Sequence, residues 1–169
     1  MTTNSLPLAR PPWLSFLPTF LFRPEAPFAY VAKAWPLVLL PSMLLSALVN
    51  FALPAAEAPG ISVATPQLIA MLVLGAPLIE TLIMLVPLLI LARLFGPMPA
   101  AVLSAIGWGI AHSLAAPIWG LVVWWPFLIF SIALLVWRQR SLMAGYFIVS
   151  AIYMISERAS DVIIEDARR

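Results

Sequence analysis

The chain has 169 residues, of which 63% are hydrophobic and 9% are charged, and its formal net charge is +2. A soluble domain carries roughly 25% charged residues, so this composition, with a mean hydropathy of +1.05, excludes a soluble globular protein. It also excludes a disordered chain, which combines low hydrophobicity with high charge. The absence of cysteine excludes disulfides and a thiol nucleophile, and nucleic-acid binding has no basic patch to support it. The sequence therefore predicts an all-α, polytopic membrane helical bundle.

Residues 1–33 are predicted to form an N-terminal interfacial, amphipathic segment rather than a signal peptide. Pro11, Pro12 and Pro18 interrupt the apolar stretch, and no small-residue cleavage site follows it. Aromatic and basic side chains at this spacing are typical of a segment that lies on the membrane surface. These side chains are Arg10, Trp13, Phe16, Phe20, Phe22 and Arg23. A re-entrant hairpin is the alternative.

Residues 34–156 are predicted to form the transmembrane domain, with about five spans, because about 20 apolar residues are needed to cross the hydrocarbon. Residues 157–169 form a polar C-terminal tail, predicted to be a short amphipathic or frayed helix. The fifth span is the shortest, and if it does not cross, the tail stays on the side of the N-terminus. The predicted spans are residues 34–53, 67–92, 100–116, 118–137 and 142–155.

Positive charges predict the orientation of the bundle. With five spans, six Lys and Arg residues fall on one side, and the two opposite loops contain none. Because Lys and Arg accumulate in cytoplasmic loops, we expect the N-terminus to be cytoplasmic. The six residues are Arg10, Arg23, Lys33, Arg93, Arg138 and Arg140.

Only two ionisable side chains, Glu80 and His112, lie inside the first four predicted spans. A carboxylate at the bilayer centre costs at least ~2.5 kcal/mol on insertion scales, so it normally faces a partner or a cavity. Both residues lie about 18 Å from the cytoplasmic ends of consecutive antiparallel spans, at 1.5 Å per residue. We therefore expect the two side chains to lie within direct or one-water hydrogen-bond reach. Such a pair can position a water or share a metal, or it can simply fasten two helices together.

Small residues recur every fourth position in the third span, in two rows. Rows of this kind let helices approach closely. One row is Ala101, Ala105 and Gly109, and the other is Gly107, Ala111 and Ala115.

Two strings in the chain resemble the first two motifs of the CPBP family, the CAAX-protease and bacteriocin-processing (Abi) intramembrane metalloproteases. LGAPLIETLIML (residues 74–85) is similar to the EExxxR motif, with Glu80 at the first glutamate. AIGWGIAHSL (residues 105–114) is similar to FxxxH, with Trp108 and His112 at the two positions. The resemblance implies a membrane-embedded hydrolase fold and, for localisation, the bacterial inner membrane.

The chain departs from the family pattern at several polar positions. Thr81 stands where the family has its second glutamate, and Leu85 stands where it has an arginine. The later HxxxN motif has no histidine here, and Val149 or Ser150 occupies that position depending on register. Part of the family's constellation is therefore missing.

The candidate site combines these positions. The resemblance implies that Glu80 activates a water and that His112, with Glu80, helps to hold a divalent metal such as zinc. Trp108 and Thr81 are supporting residues. Tyr153 lies 12 residues into the last span, so it reaches a similar depth and can supply a hydrogen-bond donor.

The sequence thus predicts a divergent CPBP-like protein with weakened or lost peptidase activity and a partner-binding, processing or immunity role in the membrane. An active form would be an intramembrane, CAAX-type metalloprotease. Its expected partners are the lipid bilayer and a prenylated or leader peptide, or another membrane protein. The alternative is a structural or assembly subunit of a membrane complex. In that case Glu80 and His112 are a packing pair, or His112 binds a cofactor such as a haem or chlorin.

Overall fold

The computed structural model describes residues 7–53, 65 and 71–167, with their side chains except those of residues 72 and 161–167. Within these ranges the chain forms five α-helices and no strand, which confirms the predicted all-α class. Two 3-10 turns precede the first helix, and a π-helical turn, Met71–Gly75, precedes the second. The helices are α1 (Pro27–Ala52), α2 (Ala76–Phe95), α3 (Pro97–Ala115), α4 (Gly120–Trp137) and α5 (Leu142–Ala167).

Four of the helices, α1 to α4, are long and apolar enough to cross a membrane. Their outward faces carry exposed apolar side chains such as Leu44, Ile83 and Ile110, as expected of surfaces that contact lipid rather than water. The chain is therefore an integral membrane protein with several spans. The helix α5 is not among the four, and its crossing stays a prediction.

The helix ends differ from the predicted span ends because a charge ends a membrane span but does not end a helix. The helix α1 begins at Pro27, before residue 34, since proline suits the first helical turn. The helix α5 continues to Ala167, so most of the predicted tail extends the same helix.

The helix α4 occupies the centre of the bundle. Of its most apolar stretch, 72% is buried inside the protein, against 17% for α1 and 22% for α2. The helices α1, α3 and α5 all pack against α4, whereas α2 packs mainly against α3 and α5. Three of the four other helices therefore pack directly on α4.

The helices α3 and α4 approach most closely at two glycines. A Cβ atom added to Gly120 would lie 2.1 Å from both the Gly109 carbonyl oxygen and the Ser113 Oγ. Gly109 is buried along with Ala101 and Ala105, so this row of small residues forms the α3–α4 contact. The second row, Gly107, Ala111 and Ala115, is exposed on the other face of α3.

The N-terminal segment folds back on itself beside the bundle. The backbone N–H of Leu8 donates to the Phe22 carbonyl at 3.0 Å, and the Arg10 guanidinium donates to the Leu17 carbonyl at 2.8 Å. The closed loop has the shape of the hairpin alternative, and its depth in the membrane stays a prediction. Its buried side chains are Leu14, Leu17, Leu21 and Phe22.

Three of the predicted cytoplasmic elements lie at one end of the bundle. Arg140, after α4, donates to the carbonyl of Pro24, before α1. Burial lowers the pKa of the Arg138 guanidinium, and the nearby positive charge of Arg93, at the end of α2, lowers it further. The start of α1, the α2–α3 turn and the α4–α5 turn are thus neighbours, as the predicted orientation requires.

Two single-cysteine variants test the orientation, and no native cysteine interferes. Gln139→Cys lies in the exposed α4–α5 turn and Pro117→Cys in the exposed α3–α4 turn. We expect a membrane-impermeant maleimide to label position 139 from the cytoplasmic side only and position 117 from the opposite side only, following the positive charges. Labelling of both positions from one side would contradict the arrangement.

A matched pair of glycine substitutions tests the α3–α4 contact. Gly120→Ala forces a Cβ into the Gly109 carbonyl, and overpacking of this kind costs about 1–3 kcal/mol or more. Gly107→Ala meets nothing within 4 Å and should stabilise α3 by about 0.5–1 kcal/mol through helix propensity. Unfolding in mixed detergent micelles measures both values, and equal stability of the two variants would refute the close approach.

Candidate functional site

Glu80 has a hydrogen-bond partner on α5. The Tyr153 hydroxyl donates to Glu80 Oε2 at 2.8 Å, joining α2 to α5. Both side chains are half-buried. A second tyrosine makes a parallel contact, because the Tyr146 hydroxyl donates to the Leu78 carbonyl at 3.2 Å. Two tyrosines of α5 thus donate hydrogen bonds to the N-terminal half of α2.

His112 is held by its own helix. Its Nδ1 lies 2.9 Å from the carbonyl oxygen of Trp108, one turn earlier in α3. A carbonyl oxygen only accepts, so Nδ1 carries the proton of this bond. In the neutral ring the lone pair then lies on Nε2. The imidazole is half-buried.

Phe127 of α4 contacts the aromatic rings on both sides of the site. Its ring stacks on Trp108, with centroids 4.4 Å apart and an interplanar angle of 6°. The ring centroids of His112 and Tyr153 lie 5.4 Å and 6.1 Å from that of Phe127. Phe130 stacks on Tyr153 at 4.7 Å. An aromatic layer therefore connects the histidine of α3 to the tyrosine of α5.

Phe127 and Phe130 are not among the site residues predicted from the sequence. The available signal was their spacing: they lie three residues apart in the fourth span, directly after Pro126. Residues three apart share a helix face, which faces Tyr153 here.

Of the predicted direct or one-water contact between Glu80 and His112, the direct hydrogen bond is not formed within the described ranges, and the one-water contact stays a prediction. Within the described ranges the carboxylate accepts from Tyr153 and the imidazole pairs with the Trp108 carbonyl, and no hydrogen bond joins the two side chains. The equal depth predicted for Glu80 and His112 did not determine the hydrogen-bond partner of Glu80, because α2 packs against α5 as well as against α3. The Tyr153 hydroxyl does reach the Glu80 carboxylate, and the supporting role in a catalytic site that the sequence suggests for Tyr153 stays a prediction.

Thr81 does not replace the missing second glutamate. Its side chain is buried, and its hydroxyl has no hydrogen-bond partner among the described residues. The Ser150 hydroxyl on α5 is in the same situation. Each unsatisfied buried group costs about 1–3 kcal/mol, and neither hydroxyl is hydrogen-bonded to Glu80.

The donor set does not fit a zinc ion. A zinc site normally uses three or four protein ligands, and the described part of the chain contains no group of three or more His, Asp, Glu or Cys side chains able to hold a metal. Glu80 and His112 supply at most two ligand side chains, which is fewer than a zinc site normally uses.

No family model matches the chain, and no curated protein or solved structure matches it either. The resemblance to the CPBP family, and the roles that it implies for Glu80, His112, Trp108, Thr81 and Tyr153, therefore stay predictions.

Two tyrosine substitutions measure the value of the Glu80 contact. Tyr153→Phe leaves a half-buried carboxyl without its donor, which costs about 1–3 kcal/mol for a hydrogen bond to a charged group. Tyr146→Phe removes a bond to a neutral carbonyl and should cost about 0.5–1.5 kcal/mol. Unfolding in mixed detergent micelles measures the stability of both variants relative to the wild type.

A double substitution separates the hydrogen bond from packing. In Glu80→Leu/Tyr153→Phe both polar groups are replaced by apolar ones, so the loss in stability should be smaller than in Tyr153→Phe alone. If the double variant loses as much stability as the two single substitutions together, the Glu80–Tyr153 bond does not stabilise the bundle.

Proposed function

We propose that this chain is a non-hydrolytic membrane protein in which a protease-like glutamate has become a structural contact, and which acts by binding another membrane component. One observation carries the proposal: the Glu80 carboxylate, the single carboxylate inside the predicted first four spans, accepts a hydrogen bond from Tyr153. The role that follows is partner binding, processing support or immunity in the bilayer rather than cleavage.

Peptide hydrolysis places three demands on a site, and these residues meet few of them. It needs a base, a held water, and donors aimed at the developing oxyanion. Glu80 retains part of its acceptor capacity, but Thr81 and Leu85 hold the positions of the family's second glutamate and arginine. The His112 Nδ1–H is directed to the Trp108 carbonyl. This pattern supports a loss of peptidase activity.

The tyrosine contact also supplies a reason to keep a glutamate in the membrane without catalysis. An unpaired carboxyl in hydrocarbon is costly, whereas a carboxyl bonded to Tyr153 joins α2 to α5. The acidic side chain then holds the two helices together, alongside the Tyr146 hydrogen bond to the Leu78 carbonyl.

A second candidate function is favoured by the histidine geometry. With Nδ1 bonded to a backbone carbonyl, the remaining ring nitrogen is oriented and basic, which is the usual arrangement of a histidine that ligates a metal centre. His112 would then bind a cofactor as part of a larger membrane complex, in line with the structural-subunit alternative. Optical titration of purified protein with haem, comparing the wild type with His112→Ala, would distinguish this role.

Glu80→Gln tests the main proposal, because the amide keeps the shape and the hydrogen-bond acceptor but removes the base. In zinc-supplemented proteoliposomes we expect the wild type and Glu80→Gln to show the same background on prenylated and leader-peptide substrates. The stability of Glu80→Gln should stay within about 1 kcal/mol of the wild type, since the Tyr153 hydroxyl still finds an oxygen acceptor.

The opposite result would establish a protease. Cleavage by the wild type that disappears in Glu80→Gln but persists in Tyr146→Phe would assign Glu80 as the base and overturn the non-hydrolytic role. Tyr146→Phe serves as the control because it also weakens the α2–α5 contact without touching a carboxylate.

A further inference from the structure

A cavity of about 330 Å³ lies between α1, α4 and α5. Its volume falls at the lower end of the roughly 300–1,000 Å³ of ligand pockets. One wall is apolar, formed by α4 side chains that include Val123, Phe127 and Phe130. Tyr153 lines the same cavity, whereas its hydrogen-bond partner Glu80 is not among the described lining residues.

The walls formed by α1 and α5 carry polar side chains. On α1, Ser42, Ser46 and Asn50 follow one another at four-residue spacing, which places them on one helix face. On α5, Ser156 and Ser160 line the cavity at the same spacing. The cavity is thus amphipathic, with an apolar side along α4 and a polar side along α1 and α5.

Two of the serines can only accept hydrogen bonds from a ligand. Ser42 Oγ donates to the Val38 carbonyl at 2.7 Å, and Ser156 Oγ donates to the Ile152 carbonyl at 2.8 Å. Each hydroxyl has thereby used its proton, so its oxygen offers only lone pairs.

The other three polar side chains of these walls can both donate and accept. The side chains of Ser46, Asn50 and Ser160 make no hydrogen bond within the part of the chain that the structure describes. A hydroxyl brings one donor, and an amide brings two donors and a carbonyl acceptor. A ligand that matches the polar side must therefore bring donors as well as acceptors.

The described lining offers no free counter-charge to an ionic head group. None of its residues is Lys or Arg, so a phosphate or carboxylate would lack a cation. Glu157 lines the cavity but already has an interaction within the chain. Removing an unpaired charge from water is costly, whereas a hydroxyl donates and accepts without carrying a charge. The lining therefore matches an uncharged head group with several hydroxyls.

We propose that this cavity binds a single-chain amphiphile with an uncharged, hydroxyl-bearing head group, such as a monoacylglycerol. The head-group hydroxyls accept from the Asn50 amide and donate to Ser156 Oγ. The alkyl chain runs along the apolar wall past Phe127, and the small volume selects one chain rather than two. The site goes beyond the proposed function, since it holds whether or not Glu80 catalyses hydrolysis.

Photo-crosslinking in phosphatidylcholine nanodiscs tests where the amphiphile binds. The probe is a monododecanoylglycerol with a diazirine in its acyl chain, and mass spectrometry identifies the crosslinked peptides. We expect crosslinking to saturate with probe concentration and to fall on the α4 wall, around Phe127 and Phe130, rather than on the outward faces of the other helices.

Competition by unlabelled amphiphiles of equal chain length tests the choice of head group. The competitors are monododecanoylglycerol, methyl dodecanoate, which lacks the hydroxyls, and the ions dodecylammonium and dodecanesulfonate. At equal mole fraction in the bilayer, we expect the glyceride to compete at least about tenfold more effectively than the methyl ester or either ion.

Two variants with matched controls assign the contacts. Asn50→Leu removes a free amide from an exposed position, so the preference for the glyceride over the methyl ester should fall by about threefold or more. Gln139→Leu, in the exposed α4–α5 turn, should leave that preference unchanged. Ser46→Leu should weaken the glyceride and the methyl ester alike by filling the cavity, whereas Ser15→Leu, in the N-terminal segment, should weaken neither. Thermal unfolding in the same nanodiscs shows that each variant is folded.

Three other results would overturn the proposal. Crosslinking that does not saturate, or that spreads over the outward helix faces, would mean partition into the lipid. Equal competition by the glyceride and the methyl ester would mean an apolar cleft without head-group selection. Stronger competition by dodecylammonium than by the glyceride would mean that the cavity selects a cation. None of these results depends on the outcome of the cleavage assay.

Discussion

The close approach of α3 and α4 at Gly109 and Gly120 is the constraint on which the bundle depends. Two backbones come together where no Cβ fits, and lipid offers no hydrophobic driving force that could replace such close packing. Because α4 is thereby held at the centre, the remaining helices pack around a helix that is itself largely buried. The short connection between α3 and α4, residues 116–119, keeps this contact local in sequence.

Polar side chains inside the bundle are placed so that they meet partners across helix boundaries. Tyr153 reaches Glu80, and Trp125 of α4 donates to the Leu37 carbonyl of α1 at 2.8 Å. In a bilayer such bonds have few competitors, since water is scarce. Glu80 is thus one member of a set of inter-helix contacts.

The two ends of the molecule differ in chemistry. Arginines surround the neighbouring turns at one end, where positive charge suits the cytoplasmic surface. The other half contains the amphipathic cavity, between the C-terminal halves of α1 and α5 and the start of α4. The two ends of the bundle therefore differ in charge and polarity.

The sequence by itself determined the all-α class and the approximate positions of the helices, because about 20 apolar residues are needed to cross the hydrocarbon. Only the tertiary structure decided which helix supplies the partner of Glu80, and which row of small residues is buried. It also decided that Phe127 connects His112 to Tyr153. The depth of a residue follows from its position along one helix. The residues that it contacts on other helices depend on how several helices pack around α4. A sequence of uniformly apolar spans carries little information on that packing.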